Sequence, residues 1–357
     1  MEANEQIVSL LQVVRMKVMV VVVILCLGGA CSKESVIKGR NKTKSKPSKP
    51  TNMCTMEPSE LNSIRCVCTK EKFQRASSAE CWIFGPVSKE HFIWELILKT
   101  QPYLSDLNLV ASNQGYLKNI PPEFLQNMML LKNFTVSFAV LERLEKFTFG
   151  NSSSVEVLKL SKNQIQYLDT YAIANLLSLR EINLEDNRIQ RVKLFAFYNL
   201  PQLTYVRLNN NNITKIDDRA FTSMSHVLEM DLSENYICDI NNLTFFGLSK
   251  LKVIDLSFNR ITGLASSVFS ELWDIEELFL DHNLIEVISN RAFDGLRFLK
   301  TISLSNNRLT RFPAGLFASV FTLYNLDISH NRLETLIFDS IEQLYNNLVH
   351  NGTLRLK

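Results

Sequence analysis

Asparagine recurs at a fixed interval in this chain: Asn163, Asn187, Asn211, Asn235, Asn259, Asn283, Asn307 and Asn331 are each 24 residues after the last. The apolar frame around each one repeats as well. Asn187 sits in Leu179-x-x-Ile182-x-Leu184-x-x-Asn187-x-Ile189-x-x-Val192, and Asn259 in Leu251-x-x-Ile254-x-Leu256-x-x-Asn259-x-Ile261-x-x-Leu264. A strict period in this range marks a solenoid, in which every repeat buries its apolar side against its neighbours. A chain built this way offers a long curved surface for binding rather than a pocket for reaction.

Within each copy the segment L-x-x-L-x-L alternates apolar and polar residues, the pattern of a strand with one buried face. The Asn then turns the chain out of the strand. Its amide can both accept from and donate to backbone groups of adjacent turns, where an unpaired buried group costs about 1–3 kcal/mol. Stacked copies predict an asparagine ladder. Ten residues after each Asn comes a second column, Ile173, Phe197, Phe221, Phe245, Phe269, Phe293, Phe317 and Ile341. A third follows at Leu176, Leu200, Met224, Leu248, Leu272, Leu296, Val320 and Leu344. Both columns read as core, with the phenylalanines forming a spine under the convex side.

This frame resembles the consensus of the 24-residue, extracellular type of leucine-rich repeat over residues from about 104 to 345. A further unit lies in register upstream, through Leu131, Phe134, Val136, Leu141, Leu144 and Phe149, with Ala139 in place of the Asn. A looser first unit runs through Leu104, Leu107, Leu109, Leu117, Ile120 and Phe124. The resemblance implies an α/β solenoid, a curved horseshoe with a parallel sheet on its concave face and a disulfide-bonded N-terminal cap. Ten strands about 4.8 Å apart would give an inner arc on the order of 45 Å.

The chain divides into five expected parts. Residues 1–30 read as a signal peptide, with Lys17, the apolar run Val18–Leu27 and the small exit Gly28, Gly29 and Ala30. A membrane span needs about 18–20 apolar residues, which this run lacks, although the apolar-rich 7–14 segment leaves a signal anchor open. Residues 31–53 form a basic disordered linker; Lys42, Lys44, Lys46 and Lys49 are either solvated or a weak polyanion contact. Residues 54–103 are a cysteine-rich cap, 104–345 about ten repeats, and 346–357 an incomplete C-terminal repeat. Leu354-x-Leu356 starts a strand pattern there, and a C-terminal cap is missing from the sequence as given, through truncation or because another chain covers the end.

Six sequons, at Asn41, Asn133, Asn151, Asn212, Asn242 and Asn351, fit export and glycosylation. Asn133 falls on the concave side, where a glycan would crowd the N-terminal end of that face. Cys54, Cys66, Cys68 and Cys81 precede the first repeat, and four cysteines in an exported chain imply two disulfides with three possible connectivities. Metal binding suits them poorly, since the compartment oxidises thiols. The cluster resembles the N-terminal cap of extracellular leucine-rich repeat proteins, which implies Cys54–Cys68 and Cys66–Cys81. Cys31 and Cys238 are left over; Cys238 is either packing filler or the half of an intermolecular disulfide.

No catalytic constellation stands out: H-E-x-x-H, G-x-S-x-G and a phosphate-cradling glycine loop are all missing. No enzyme, cofactor or metal is expected. His282 and His330, each just before a ladder Asn, read as solvated corner residues. Contact is better supported. Residues six, four and two places before each Asn face the concave side, and in the centre they are acidic: Glu181, Glu185, Glu229, Asp231, Asp255, Glu277 and Asp281. Tyr205, Arg207 and Phe279 lie among them, with Phe258 beside them. Aromatics among charges are what an interface core contains; acids that merely keep a sheet soluble are the other reading. Arg188, Arg191, Lys215, Arg260, Arg308, Arg311 and Arg332 form a basic edge just past the Asn. An acidic face and a basic edge on one molecule would steer copies together, or be routine charge mixing.

The Cys81–Phe84 segment Cys-Trp-Ile-Phe, the stretch Gln101–Leu104 and the phenylalanine-rich repeats resemble the connectin type of insect cell-surface leucine-rich repeat proteins. That resemblance implies lipid-anchored, homophilic adhesion, whereas the sequence as given has no hydrophobic C-terminal tail. The expected function is therefore non-enzymatic protein binding outside the cell. The partner is a protein, with a copy of the chain itself as one candidate. The protein is secreted, or at the cell surface if an anchor is missing. The alternative is a secreted module for immune or extracellular-matrix recognition, or the non-catalytic subunit of a secreted complex. Nucleic acid is disfavoured by a net charge of only +3 and an acidic inner face.

Overall fold

The computed structural model describes residues 52–56, 63–334, 344 and 352–356, all within the compact unit Pro50–Lys357. The expected signal peptide, most of the basic linker, Cys31, Asn41, Ile341 and Asn351 lie outside the described residues. What is described is the parallel-sheet solenoid expected from the repeat. A 13-stranded sheet runs along its concave side. Ten of its strands come from the repeats, from Asp106–Ala111 through Asn325–Asp327, at successive positions of the frame. Their register is fixed by the 24-residue period: Glu181 pairs with Tyr205, Tyr205 with Glu229, Glu229 with Val253 and Val253 with Glu277. Thr353–Arg355 continues the sheet by pairing with Asn325–Asp327, so the Leu354 pattern does form a strand.

The predicted ladder is present and its bonding is regular. The Oδ1 of Asn235 accepts from the Ile213 N–H at 2.9 Å, and its Nδ2 donates to the carbonyls of Leu208, Leu232 and Ser233 at 3.0–3.1 Å. Asn211, Asn259, Asn283 and Asn307 repeat the scheme. Ala139 has no amide, and its own N–H is the donor to Asn163 Oδ1. The residue before each ladder Asn takes a left-handed backbone, from Lys162 (φ 61°) through Phe258 (φ 54°) to His330 (φ 54°), and none of the eight is glycine. For an L-residue that conformation costs roughly 1–2 kcal/mol. The amide network of the following Asn offsets it, and the corner accepts Lys, Glu and Phe as well as the Asp, Asn and His that favour this conformation.

Both predicted core columns are buried wherever they are described. Phe245, Phe269, Phe293 and Phe317 stack in sequence with ring centroids 5.7–6.2 Å apart. The spine continues toward the cap through Phe149, Phe134, Phe124 and Trp94. On the convex side the early repeats close with a three-stranded parallel sheet (Phe149–Ser152, Ile173–Leu176, Phe197–Tyr198), and later ones with turns.

The cap covers the first repeat. Ile64–Cys68 runs antiparallel to Ser78–Ile83, which pairs in turn with Asp106–Ala111. The disulfides are Cys54–Cys68 and Cys66–Cys81, the pairing that the resemblance implied. Asn52 and Gln101 are buried and joined by a side-chain hydrogen bond of 3.2 Å, which ties the cap's entry to the end of helix α1 (Ile93–Thr100). Cys238 is a free, exposed thiol, so packing filler does not describe it.

Candidate protein-binding face

Pleating sets which side chains the concave sheet presents. In each repeat strand the central residue is buried and its two neighbours face outward, as in Glu229–Met230–Asp231 and Glu277–Leu278–Phe279. The row six places before the ladder Asn carries Glu181, Tyr205, Glu229, Val253 and Glu277 side by side. The row four places before carries Asn183, Arg207, Asp231, Asp255 and Phe279.

These two rows do different work. Asp231 Oδ1 accepts from the backbone N–H of Ser233 at 3.0 Å and from its hydroxyl at 2.6 Å. Asp255 accepts from the Ser257 N–H at 2.8 Å, Asp327 from Ser329 at 3.0 Å, and Asn183 from Glu185 at 2.9 Å. These side chains close the strand end as it enters the turn, the usual local role of Asx residues. Lys159, Arg207 and Phe279 stand at the same position and have no acceptor to offer; of the three, Arg207 and Phe279 border the central depression. Ser233, Ser257, Ser305 and Ser329, read from the sequence as inward-facing, are buried and present little surface.

Two depressions lie along this part of the face. Tyr205, Arg207, Glu229, Asp231, Val253, Asp255 and Phe279 line a depression of about 270 Å³. Tyr205 is 42% exposed. Phe279 also borders a second depression of about 430 Å³ toward Asp327 and Arg355. Asp281 lines this second depression, half-buried, with the hydroxyls of Ser303 and Ser305 on its carboxylate. Burial holds its pKa above the ordinary value, and the like charge of Asp255 adds to that against the Ser305 hydrogen bond.

Glu181 lies on the strand next to Tyr205 toward the cap, and Glu185 just past that strand's end; both are outside the two depressions. Phe258 is not on the sheet: it sits on the left-handed corner, 52% exposed, with the His282 ring stacked on it at 4.2 Å. The pairing of His282 with an aromatic one repeat away was not foreseen, although the 24-residue spacing of the two carries it. The basic edge is partly neutralised. Arg191 is paired with Asp217 at 2.7 Å, Arg308 with Glu286 at 3.3 Å, and Arg260 lies over the Tyr236 ring at 4.3 Å. Arg188, Lys215, Arg311 and Arg332 have no ion pair among the described residues. Of the described sequons, Asn151, Asn212 and Asn242 are exposed, while Asn133 is half-buried with its amide donating to Asp106. Among the described residues no helix is long and apolar enough to cross a membrane.

Solved structures share this architecture. The TLR13–ssRNA13 complex matches with a TM-score of 0.65 and 24% identity, over 76% of this chain and 38% of that one. The Drosophila Toll–Spatzle complex matches with a TM-score of 0.62 and 18% identity, over 74% of this chain and 38% of that one. This chain thus spans well under half the length of either, and at these identities the likeness is one of fold. No curated protein matches, so the narrower likeness to the connectin type gains no relative. Family models described as Leucine rich repeat match residues 129–189, 201–261 and 249–309, with related ones at 177–220 and 322–344. The period, the amide ladder and these matches agree, and the chain belongs to the leucine-rich repeat family.

Proposed function

We propose that the chain is a non-enzymatic recognition module working outside the cell, which binds a protein through the centre of its concave face and serves cell adhesion. The observation that carries this is the loss of the capping side chain at Arg207 and Phe279. Both positions give up a strand-closing hydrogen bond and border one depression together with Tyr205 and Glu229. Side chains that abandon a local structural role mark functional positions. Tyr, Arg and Phe are also residue types suited to an interface core. The acids Glu229, Asp231, Asp255, Glu277 and Asp281 select a partner with a basic patch and disfavour nucleic acid.

A second copy of the chain is one such partner, because the edge cations Arg188, Lys215, Arg311 and Arg332 are available to the acidic centre. The two disulfides fit an oxidising compartment, and the sequons and leader pattern fit secretion or the cell surface. The alternative partner is a different protein met in immune or matrix recognition, or in a secreted complex. The test is clustering of beads that display the glycosylated chain at high density, where multivalency reveals weak contacts. Glu229→Lys is the informative variant, since Glu229 is exposed, whereas Asp231 also caps Ser233. Clustering that Glu229→Lys abolishes supports homophilic adhesion through this face. Clustering unchanged in that variant removes the concave centre, and folded chain that leaves beads apart removes homophily.

A further inference from the structure

A second concave feature lies at the cap end, and none of its lining residues belongs to the two depressions described above. The strands Ser78–Ile83, Asp106–Ala111 and Asn133–Ser137 finish on a groove of about 920 Å³. Three aromatic side chains line it and are held open to solvent: Trp82 is 41% exposed, Phe84 47% and Phe138 56%. Trp82 and Phe138 rise from strand ends two places apart in the sheet, a separation on the order of 10 Å. Asn113, Gln114 and Gln164 bring three side-chain amides to the same groove, and none of the three makes a side-chain hydrogen bond among the described residues.

The wall between them is pre-formed. The Ser112 N–H donates to the Ile83 carbonyl at 2.8 Å, Gly115 N–H to Ser112 at 2.8 Å, and Tyr116 N–H to Gly85 at 3.0 Å. At Gly115 a Cβ would meet the Ile83 carbonyl oxygen at 2.0 Å, so only glycine permits this approach. The groove carries little charge: Lys162 is the only charged residue in its lining, and its ammonium lies 3.8 Å from Asp186 and 6.0 Å from the centre of the Phe138 ring.

We propose that this groove binds a neutral oligosaccharide, with sugar rings lying on Trp82, Phe84 and Phe138 and hydroxyls bonded to the amides of Asn113, Gln114 and Gln164. Exposed aromatic faces accept the apolar face of a sugar ring, and planar amides donate to and accept from its hydroxyls. The chemistry weighs against two other occupants. A polyanion or single-stranded RNA needs a track of cations, and the one cation here already has a carboxylate beside it. An apolar peptide side chain would strip water from three amides without pairing them, at the usual cost of buried unpaired polar groups.

The test is titration of the full glycosylated chain with two uncharged probes, an N-acetylglucosamine hexamer and an oligomannose glycan, followed by tryptophan fluorescence. Trp82 lies in the groove, whereas Trp94 is buried and Trp273 belongs to a convex turn remote in sequence. At least one probe should bind saturably, and binding should persist at about 0.5 M salt, where ionic contacts are screened. Phe138→Ala should weaken it by about tenfold or more, the scale of one lost aromatic anchor. Gln164→Ala should weaken it with an unchanged melting temperature, which guards against a folding defect in the aromatic variant. Failure of both probes to bind folded chain would overturn the proposal. So would binding that survives both substitutions, or retention of heparin or single-stranded RNA in place of the sugars.

Discussion

The ladder's bonding makes unequal predictions for asparagines that the sequence cannot tell apart. In Asn235→Ala the carbonyls of Leu208, Leu232 and Ser233 each keep another donor, respectively Asn211 Nδ2, Asn259 Nδ2 and the Asn210 N–H. Only the buried Ile213 N–H is orphaned. That sets the loss at about 1–3 kcal/mol. Asn187 does more, because its Oδ1 accepts from both the Asn163 and the Ile165 N–H at 3.0 Å. Its Nδ2 also supplies the Leu160 carbonyl at 2.8 Å. Asn187→Ala therefore orphans two buried N–H groups, for a loss of about 2–6 kcal/mol. Urea denaturation with linear extrapolation measures both losses on the full chain, and amide hydrogen exchange locates them at Ile213 in one case and Ile165 in the other. Equal losses in the two variants, a larger loss in Asn235→Ala, or losses within about 0.5 kcal/mol of zero would refute the reasoning.

Two further outcomes follow from the core and from the acidic face. Phe269 is stacked between Phe245 and Phe293 at 5.9 and 6.2 Å, and Phe269→Ala should lower stability by about 3–5 kcal/mol in the same denaturation experiment. Asp281 holds its proton more tightly in the folded chain than in the unfolded one, so its ionisation costs stability once pH rises through the folded pKa. Asp281→Asn should thus melt above the parent at pH 7, with the difference vanishing below the ordinary value of 3.8; an advantage that grows toward acid pH would contradict this.

The fold was legible because a solenoid turns sequence spacing into geometry. The regular ladder bonds between repeats join residues 22 or 27 apart, as Ile213 N to Asn235 and Asn235 to Leu208, so the period itself states the contact. The phenylalanine spine was legible for the same reason. The left-handed corners were only partly legible: Asp186, Asn210, His282, Asn306 and His330 are types favoured at positive φ, whereas Lys162, Glu234 and Phe258 carry no such signal. The cap groove was invisible because it forms where the period fails. Asp106 pairs with Asn133 and Ser78 with Asp106, both separated by more than 24 residues, and the extra loop brings Asn113 and Gln114 to the strand ends.

The sequence also could not say which concave acids are free, and this changes what the face can recognise. Asp231, Asp255 and Asp327 are committed to strand ends and contribute a fixed background of negative charge. Substituting any of them disturbs a turn as well as a surface, so such variants report on folding and binding together. Selectivity must then reside in residues without that duty: the row of Tyr205, Glu229, Val253 and Glu277, and the two members of the capping row that border the central depression and cannot cap, Arg207 and Phe279. Arg207 is the one cation among the residues lining the central depression. A partner that satisfies this centre needs a carboxylate for Arg207 and basic groups around it, with an apolar anchor between Tyr205 and Phe279. A partner that is uniformly basic leaves Arg207 unpaired in the interface, which is a penalty rather than a gain.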